Sequence, residues 1–430
     1  MRDIIITLIV FGSLPFIFKR PFYGAVLWIW ISVMNPHTQS WGWAQSMPFA
    51  AIIAGTTLLA MLAKSKEVKF PNTGLTWILV AFTGWMCLTT LFAIGPENPL
   101  PLLNKVVKIM LMTLVVAMLV RSRKDIEMVV WAIVISLGFY GVKGGLFTIR
   151  SAGAYRVWGP AGTFIEGNNE IALALIMAVP LMLFLTGLIS GKWGKRAMWA
   201  AAGLCVLAAL GSYSRGAAVA LAAMLGFLWL KSQEKLKLGA LMVALAPLAL
   251  VFMPEQWHSR IDTINTYEQD SSAMGRINAW KMAINLANDH PLFGGGYQIY
   301  NKYIFQLYAP NPDDIHAAHS IYFQVLGEHG YVGLALFLLM YLVVWRNGTW
   351  VIRHAGKVPE LEWASKLVRM LQVSLIGFLV GGAFLSLAYF DVPYYIMVLM
   401  VATRLLVQKT LNEQAAPARS AQEQEAQGVA

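Results

Sequence analysis

Thirteen apolar stretches dominate this chain, near residues 3–18, 22–34, 48–63, 74–94, 103–120, 126–147, 169–189, 196–211, 214–230, 238–253, 330–345, 367–388 and 392–408, and all but one are 16 to 22 residues long. A helix of about 20 apolar residues crosses roughly 30 Å of hydrocarbon, whereas a membrane strand needs only about ten residues of alternating polarity. The runs are continuous rather than alternating, which excludes an outer-membrane barrel. With 58% hydrophobic and 13% charged residues over 430 positions, a set of soluble domains is excluded as well. The expected fold is an all-α polytopic membrane protein of about 12 transmembrane helices (12–13). The first two runs are separated only by Lys19, Arg20 and Pro21, so either one of them is a partial or re-entrant span or all thirteen cross.

The 33 Lys and Arg outnumber 22 Asp and Glu, giving a net charge of +11. In a soluble protein such a balance suggests nucleic acid; here its distribution gives it another meaning. Twenty basic residues fall on alternate connections, at 19–20, 64–69, 121–124, 192–196, 231–237, 346–366 and 404–409. The intervening connections carry seven: Arg150, Arg156, Arg215, Arg260, Arg276, Lys281 and Lys302. The Lys/Arg-rich side is the cytoplasmic one. Cys87 and Cys205 lie inside apolar runs, so they are read as packing residues and not as a disulfide or metal site. The first run lacks a basic leader and a small-residue cleavage site, so it is expected to remain in the mature chain.

The chain therefore divides into an N-terminal transmembrane bundle over 1–253, a periplasmic loop domain over 254–319, C-terminal transmembrane helices over 320–410 and a disordered cytoplasmic tail over 411–430. The 66-residue segment 254–319 is the one hydrophilic stretch of domain size, and polar loops of that length are commonly functional. Within it Ser272 to Asn288 reads as an amphipathic helix, with Ile277, Trp280, Ile284 and Ala287 on its apolar face. No internal repeat is visible, which argues against transporters built on inverted repeats.

Three outward features carry potential chemistry. Arg215, in Gly211-Ser212-Tyr213-Ser214-Arg215-Gly216, sits in a turn too short to rise from the membrane surface. An Arg deep in hydrocarbon costs about 2.5–3.5 kcal/mol and calls for an anionic partner or a wet cavity, the alternative being an Arg that snorkels to lipid phosphates. Arg276, on the loop helix, offers a planar fork for phosphate oxygens, or a surface ion pair with Asp270 or Asp289. After it, Pro291-Leu292-Phe293-Gly294-Gly295-Gly296 lacks the Lys-Ser/Thr of a nucleotide loop and reads as a tight turn that lets backbone approach the bundle. The third feature is His316-Ala317-Ala318-His319-Ser320. Its spacing places both imidazoles on one face if helical. A zinc site would need further ligands, so no metal is assigned; a histidine at the bundle mouth suits general-base work.

These motifs, with Glu328 and Gly330 to Leu334 after His319-Ser320, and Gly162-Thr163-Phe164 before Asn168-Asn169, resemble the bacterial O-antigen ligase and polymerase superfamily over nearly the whole chain before the tail. Arg20-Pro21-Phe22 and Trp30 to His37 look like its O-glycosylation ligase branch. The resemblance implies an inner-membrane glycosyltransferase of lipopolysaccharide biosynthesis, inverting and without cofactor, with its active site facing the periplasm. It would move polysaccharide from undecaprenyl diphosphate to lipid A–core. The resemblance assigns catalysis to His319 and the donor diphosphate to Arg215 and Arg276. Where the family carries His-Asn this chain has His319-Ser320, which leaves the role of that Asn unfilled. Arg156 and Asp391 are further candidates for substrate contact, and Asp391 or Glu166 for orienting or replacing the base. The partners implied are the lipid-linked donor, lipid A–core and membrane lipid, with no nucleic acid. The same donor would serve an O-antigen polymerase or a protein O-oligosaccharyltransferase. A secondary transporter fits less well, because the apolar runs carry few ionisable residues beyond Lys105, Lys108 and Lys143.

The charge asymmetry gives a direct test of topology. Single cysteines introduced at 124 and 357 are expected to resist a membrane-impermeant thiol reagent in intact cells, and one at 302 to react. Strong labelling at 124 or 357 would reverse the orientation.

Overall fold

A computed structural model describes residues 1–66, 68–231, 235–236, 239–240 and 271–428, by backbone alone beyond 416. The described chain is helical without a strand, as a segment in hydrocarbon must be if each backbone N–H and C=O is to be satisfied locally. In chain order the helices are α1 (Arg2–Lys19), α2 (Phe22–Met34), α3 (Phe49–Ala63), α4 (Gly74–Leu91), α5 (Leu100–Leu119), α6 (Arg123–Arg150) and α7 (Asn168–Thr186). There follow α8 (Lys192–Leu210), α9 (Arg215–Lys231), α10 (Ser271–Asp289), α11 (Lys302–Tyr308), α12 (Ile321–Ala355), α13 (Glu362–Gly382) and α14 (Asp391–Gly428). Twelve of the thirteen apolar stretches fall on these helices, and 238–253 lies almost wholly outside the described residues, as does 254–270 of the long polar segment. Among the described residues seven helices are long and apolar enough to cross a membrane, α4 to α7 and α12 to α14, with α2 and α3 shorter. The protein is a multi-pass membrane protein.

The helix starts are written locally. At α6, Ser122 Oγ accepts from the Asp125 backbone N–H while Asp125 accepts from that of Ser122, a reciprocal capping box. Asp125 is 1% exposed and also pairs with Arg20, Nη2 to Oδ1 2.5 Å, tying the end of α1 to the start of α6. Side by side, α6 and α8 pack through small residues. A Cβ on Gly141 would sit 2.1 Å from Cys205 Sγ, and one on Gly145 would sit 2.4 Å from the Leu204 carbonyl. Glycines four apart let two backbones approach closely where hydrocarbon offers no hydrophobic drive.

The two sets of connections separate to opposite ends. The Arg20–Asp125 pair, a Lys64 Nζ bond to the Lys19 carbonyl (2.6 Å) and Arg123 over the Trp363 ring join basic connections to one another. At the other end, Ile94 N–H donates to Gly295 O (2.8 Å), Val157 N–H to Gly211 O (3.1 Å) and Ser32 Oγ to Asp391 (2.8 Å).

At that second end lies an interruption in α12. Gly330 takes φ 67, ψ −170, so the 35-residue element is two helices in series, and the apolar run that starts at 330 is the second. The glycine turn fills the break: Gly295 and Gly296 N–H donate to the carbonyls of Gly327 and Glu328 (2.8 and 2.9 Å), and Tyr331 N–H donates to Pro291 O (2.9 Å). Gly294 and Gly296 take φ of 62 and 74. The reading of this sequence as a turn that brings backbone onto the bundle holds.

Three expectations need correction. The buried stripe of α10 is Gly275, Ala279, Met282, Ala283, Leu286 and Ala287, while Ile277, Trp280 and Ile284 are only half-buried. Small residues let α10 lie close on α12, where a Cβ on Gly327 would meet Ala283 at 3.1 Å. His316 and His319 do not share a helical face, because 314–320 carries no regular secondary structure and α12 starts only at Ile321. The tail read as disordered continues α14 through Gly428, its Ala, Gln and Glu being good helix formers.

A methyl at Gly294 would stand 2.6 Å from both Gly327 O and Gly330 N. Gly294→Ala is expected to destabilise by at least about 1–3 kcal/mol from its left-handed backbone alone, read as a lower midpoint of thermal aggregation in detergent. An unchanged midpoint would mean the turn is not seated in the α12 break.

Candidate active site

The site is built around the first turn of α7. On one side, α8 and α9 are joined by Gly211 to Ser214. Ser214 Oγ accepts from Ala217 N–H at 3.1 Å and so caps α9, which leaves Arg215, half-buried, as the first helical residue. The guanidinium then adds to the positive end of the helix dipole. Loop 151–168 is fastened to this turn by Val157 N–H to Gly211 O (3.1 Å), Asn168 Nδ2 to Ser212 O (2.8 Å) and the Tyr213 hydroxyl donating to Gly153 O. These bonds hold Arg156 over the Tyr213 ring, 5.7 Å from its centroid. Arg156 and Arg215 thus belong to one cationic turn.

On the other side is Arg276, half-buried near the start of α10 and within electrostatic range of Glu170, also in the first turn of α7. Asn278 Nδ2 donates to the carbonyls of Asn311 and Asp314 (2.8 and 3.0 Å), and Trp280 Nε1 to that of Ala318 (2.6 Å). Trp280 also stacks on Phe323, ring centroids 5.0 Å apart. Together they lay the irregular segment 311–319 along α10. Gly275 leaves room for the His316 ring, whose Nδ1 is 2.9 Å from Asp314 Oδ1.

His319 ends this segment. Its φ is 42, left-handed backbone that a non-glycine residue seldom adopts, and the next residue, Ser320, is the N-cap position of α12. The ring is half-buried, and Nδ1 is enclosed without a hydrogen-bond partner. Burial, then the positive charge of Arg276 and of His316, pushes the His319 pKa down to about 4, so the imidazole is neutral at neutral pH with a lone pair available. The N-cap position is held by Ser320, so His319 does not cap α12.

Four sequence candidates, Arg156, Arg215, Arg276 and His319, therefore gather here. Asp391 does not join them. It is 4% exposed at the start of α14, accepts from Ser32 Oγ, and lies within electrostatic range of Lys105. Glu166 also acts on Lys105, and its Oε2 accepts from Gly162 N–H (2.8 Å). Two lysines read as lying in the apolar run of α5, Lys105 and Lys108, line a cleft at this end of the bundle. Among the described residues no group of three or more His, Cys, Asp or Glu converges as a metal site.

Sequence reasoning assigned no role to the buried network beneath the site. Tyr389 Oη donates to Glu328 Oε2 (2.5 Å) and lies 2.8 Å from His329 Nε2, and His329 Nδ1 lies 2.7 Å from Thr89 Oγ1. It cross-links α12, α4 and the segment before α14 directly under the glycine turn. The signal for it was the Glu-His-Gly sequence at 328–330, polar residues at the edge of an apolar run.

Fold and site define a multi-pass membrane protein that gathers guanidiniums and a neutral imidazole at one end of its bundle. Residues 200–338 match the family described as O-Antigen ligase, which supports membership of the O-antigen ligase superfamily for that part of the chain. Residues 1–189 match a family of unknown function. No curated protein matches the chain.

The protonation of His319 is directly measurable. In selectively 15N-histidine-labelled protein the His319 ring is expected to stay neutral until the pH approaches about 4, against 6.5 for an unperturbed histidine. Arg276→Gln removes a positive neighbour and is expected to move the midpoint up. A wild-type midpoint near 6.5 would contradict the enclosure of the ring.

Proposed function

We propose that the protein is an O-antigen ligase, transferring polysaccharide from undecaprenyl diphosphate to lipid A–core at the periplasmic face of the inner membrane. The observation that carries this reading is His319. Its neutral, half-buried ring, with an unpartnered Nδ1, stands beside Arg276 inside the segment that matches the O-antigen ligase family. The Lys/Arg asymmetry supports the orientation, since the basic-poor connections of this end would face the periplasm.

The chemistry is a single inverting displacement. The acceptor oxygen forms a bond to the anomeric carbon as the bond from that carbon to the diphosphate oxygen breaks, and the electron pair leaves with undecaprenyl diphosphate. The acceptor hydroxyl proton passes to His319. Charge grows on the departing diphosphate, where Arg215 at the N-terminus of α9 and Arg276 on α10 offer fixed donors that need no reorganisation. Arg276 also couples the two tasks. In the empty site its field weakens His319 as a base; a bound diphosphate offsets that field and raises the basicity of the imidazole when it is needed. Guanidiniums in this role require no divalent metal and no nucleotide.

Deleting the gene is expected to leave lipid-linked polymer accumulating and lipid A–core without long chains; a core carrying a single repeat would instead indicate a polymerase. In purified protein, His319→Ala is expected to abolish transfer at unchanged membrane abundance. Arg215→Lys, which keeps charge but loses the bidentate fork, should lower kcat/KM by about tenfold or more. Turnover should persist in excess EDTA without ATP. Near-normal transfer by His319→Ala would remove the base assignment, and a Mg²⁺- or Mn²⁺-restored loss in EDTA would remove the arginine clamp.

A further inference from the structure

A second cleft opens at the same end of the bundle, on the far side of loop 151–168. It is bordered by the end of α2, the outer half of α5, residues 162–165 and the start of α14, is open on one side, and has a volume of about 280 Å³. Its lining alternates charge, hydrogen-bonding groups and aromatic surface. Lys105 Nζ lies 4.1 Å from the centroid of the Phe164 ring and within electrostatic range of Asp391. Asn104 and Lys108 line the same cleft. So does His37, whose Nδ1 is enclosed without a hydrogen-bond partner.

Placing a cation and a carboxylate at the edge of a lipid-embedded bundle is expensive unless something polar completes their hydrogen bonding. The mixture selects the occupant. A phosphate would meet Asp391 as well as the lysines, so the cleft lacks the one-sided charge of the arginine site. A sugar ring suits it: hydroxyls both donate and accept, which matches carboxylate, ammonium, amide and imidazole set side by side, and the C–H face of a sugar packs on aromatic rings such as Phe164.

The two sites draw unevenly on the chain, with Asp391 of the cleft beyond both matched segments and Arg156 of the cationic turn within the first. Asn104, Lys105, Lys108, His37 and Phe164 lie within 1–189, the segment matched by the family of unknown function, while Arg215, Arg276 and His319 lie within 200–338, the ligase segment. One loop borders both, with Phe164 in the cleft and Arg156 at the cationic turn. We propose that this cleft is the sugar subsite for the acceptor, so that the N-terminal segment selects the acceptor while the ligase segment handles the diphosphate of the donor. This rests on the transferase reading above, and a polysaccharide donor offers sugars too, so the test must separate the two sources.

The test is binding to the full-length protein in nanodiscs, by thermophoresis, with purified rough lipopolysaccharide (lipid A–core without O-antigen) and, separately, with undecaprenyl-diphosphate-linked glycan. Asn104→Ala/Lys108→Ala is expected to weaken rough lipopolysaccharide about tenfold, as loss of a charge-assisted bond does, while binding of the lipid-linked glycan stays within about twofold. Arg215→Lys is expected to give the reverse pattern. Phe164→Leu, which keeps apolar bulk but loses the ring face, should weaken rough lipopolysaccharide without altering the melting midpoint. The proposal is overturned if the double variant weakens the lipid-linked glycan instead, if it changes neither affinity, or if the wild type does not bind rough lipopolysaccharide. A wild type that binds both lipids with these patterns but transfers nothing would overturn the ligase reading and leave the cleft assignment standing.

Discussion

A helix broken at membrane depth exposes carbonyls and amides that lipid cannot satisfy, each at a cost of several kcal/mol. This molecule breaks α12 at Gly330 and satisfies the break with its own backbone, through Gly295, Gly296 and Pro291. Everything at the active end depends on that junction. The turn anchors the C-terminus of α10, whose other end presents Arg276; α12 begins two residues after His319; and Ile94, bonded to Gly295, connects α4 to the same point. The Glu328, His329, Tyr389 and Thr89 network lies immediately beneath and makes the junction a rigid floor rather than a hinge.

Above this floor the segment 311–319 is held by hydrogen bonds to Asn278 and Trp280. An imidazole held beside a guanidinium suits the proposed displacement, in which a positioned acceptor and prearranged charge are each worth several kcal/mol.

Much of the fold was legible because hydropathy and glycine geometry are local signals. Continuous apolar runs fixed the helices, and three consecutive glycines announced a turn that only backbone could line. Arg215 and Arg276 stood out because outward cations are scarce in this sequence. What was not legible depended on tertiary partners. His316 and His319 have helical spacing, yet Asn278 and Trp280 draw their segment out straight. Asp391 looked like an open carboxylate until Ser32, 359 positions away, closed over it. Lys105 and Lys108 look like intramembrane charges in one dimension and line a polar cleft in three. The buried stripe of α10 was misassigned because large side chains marked the face by hydropathy, while the close contact with α12 is made by Gly, Ala and Met.

The left-handed backbone of His319 has one more implication. A β-carbon there costs on the order of 1 kcal/mol relative to glycine, and the ring adds an enclosed nitrogen without a partner. The position is thus held against local preference, and asparagine or glycine would relax it. Substitutions of that kind should yield a protein more heat-resistant than the native one and, on the role proposed for His319, an inactive one, a stability–function trade-off confined to a single residue.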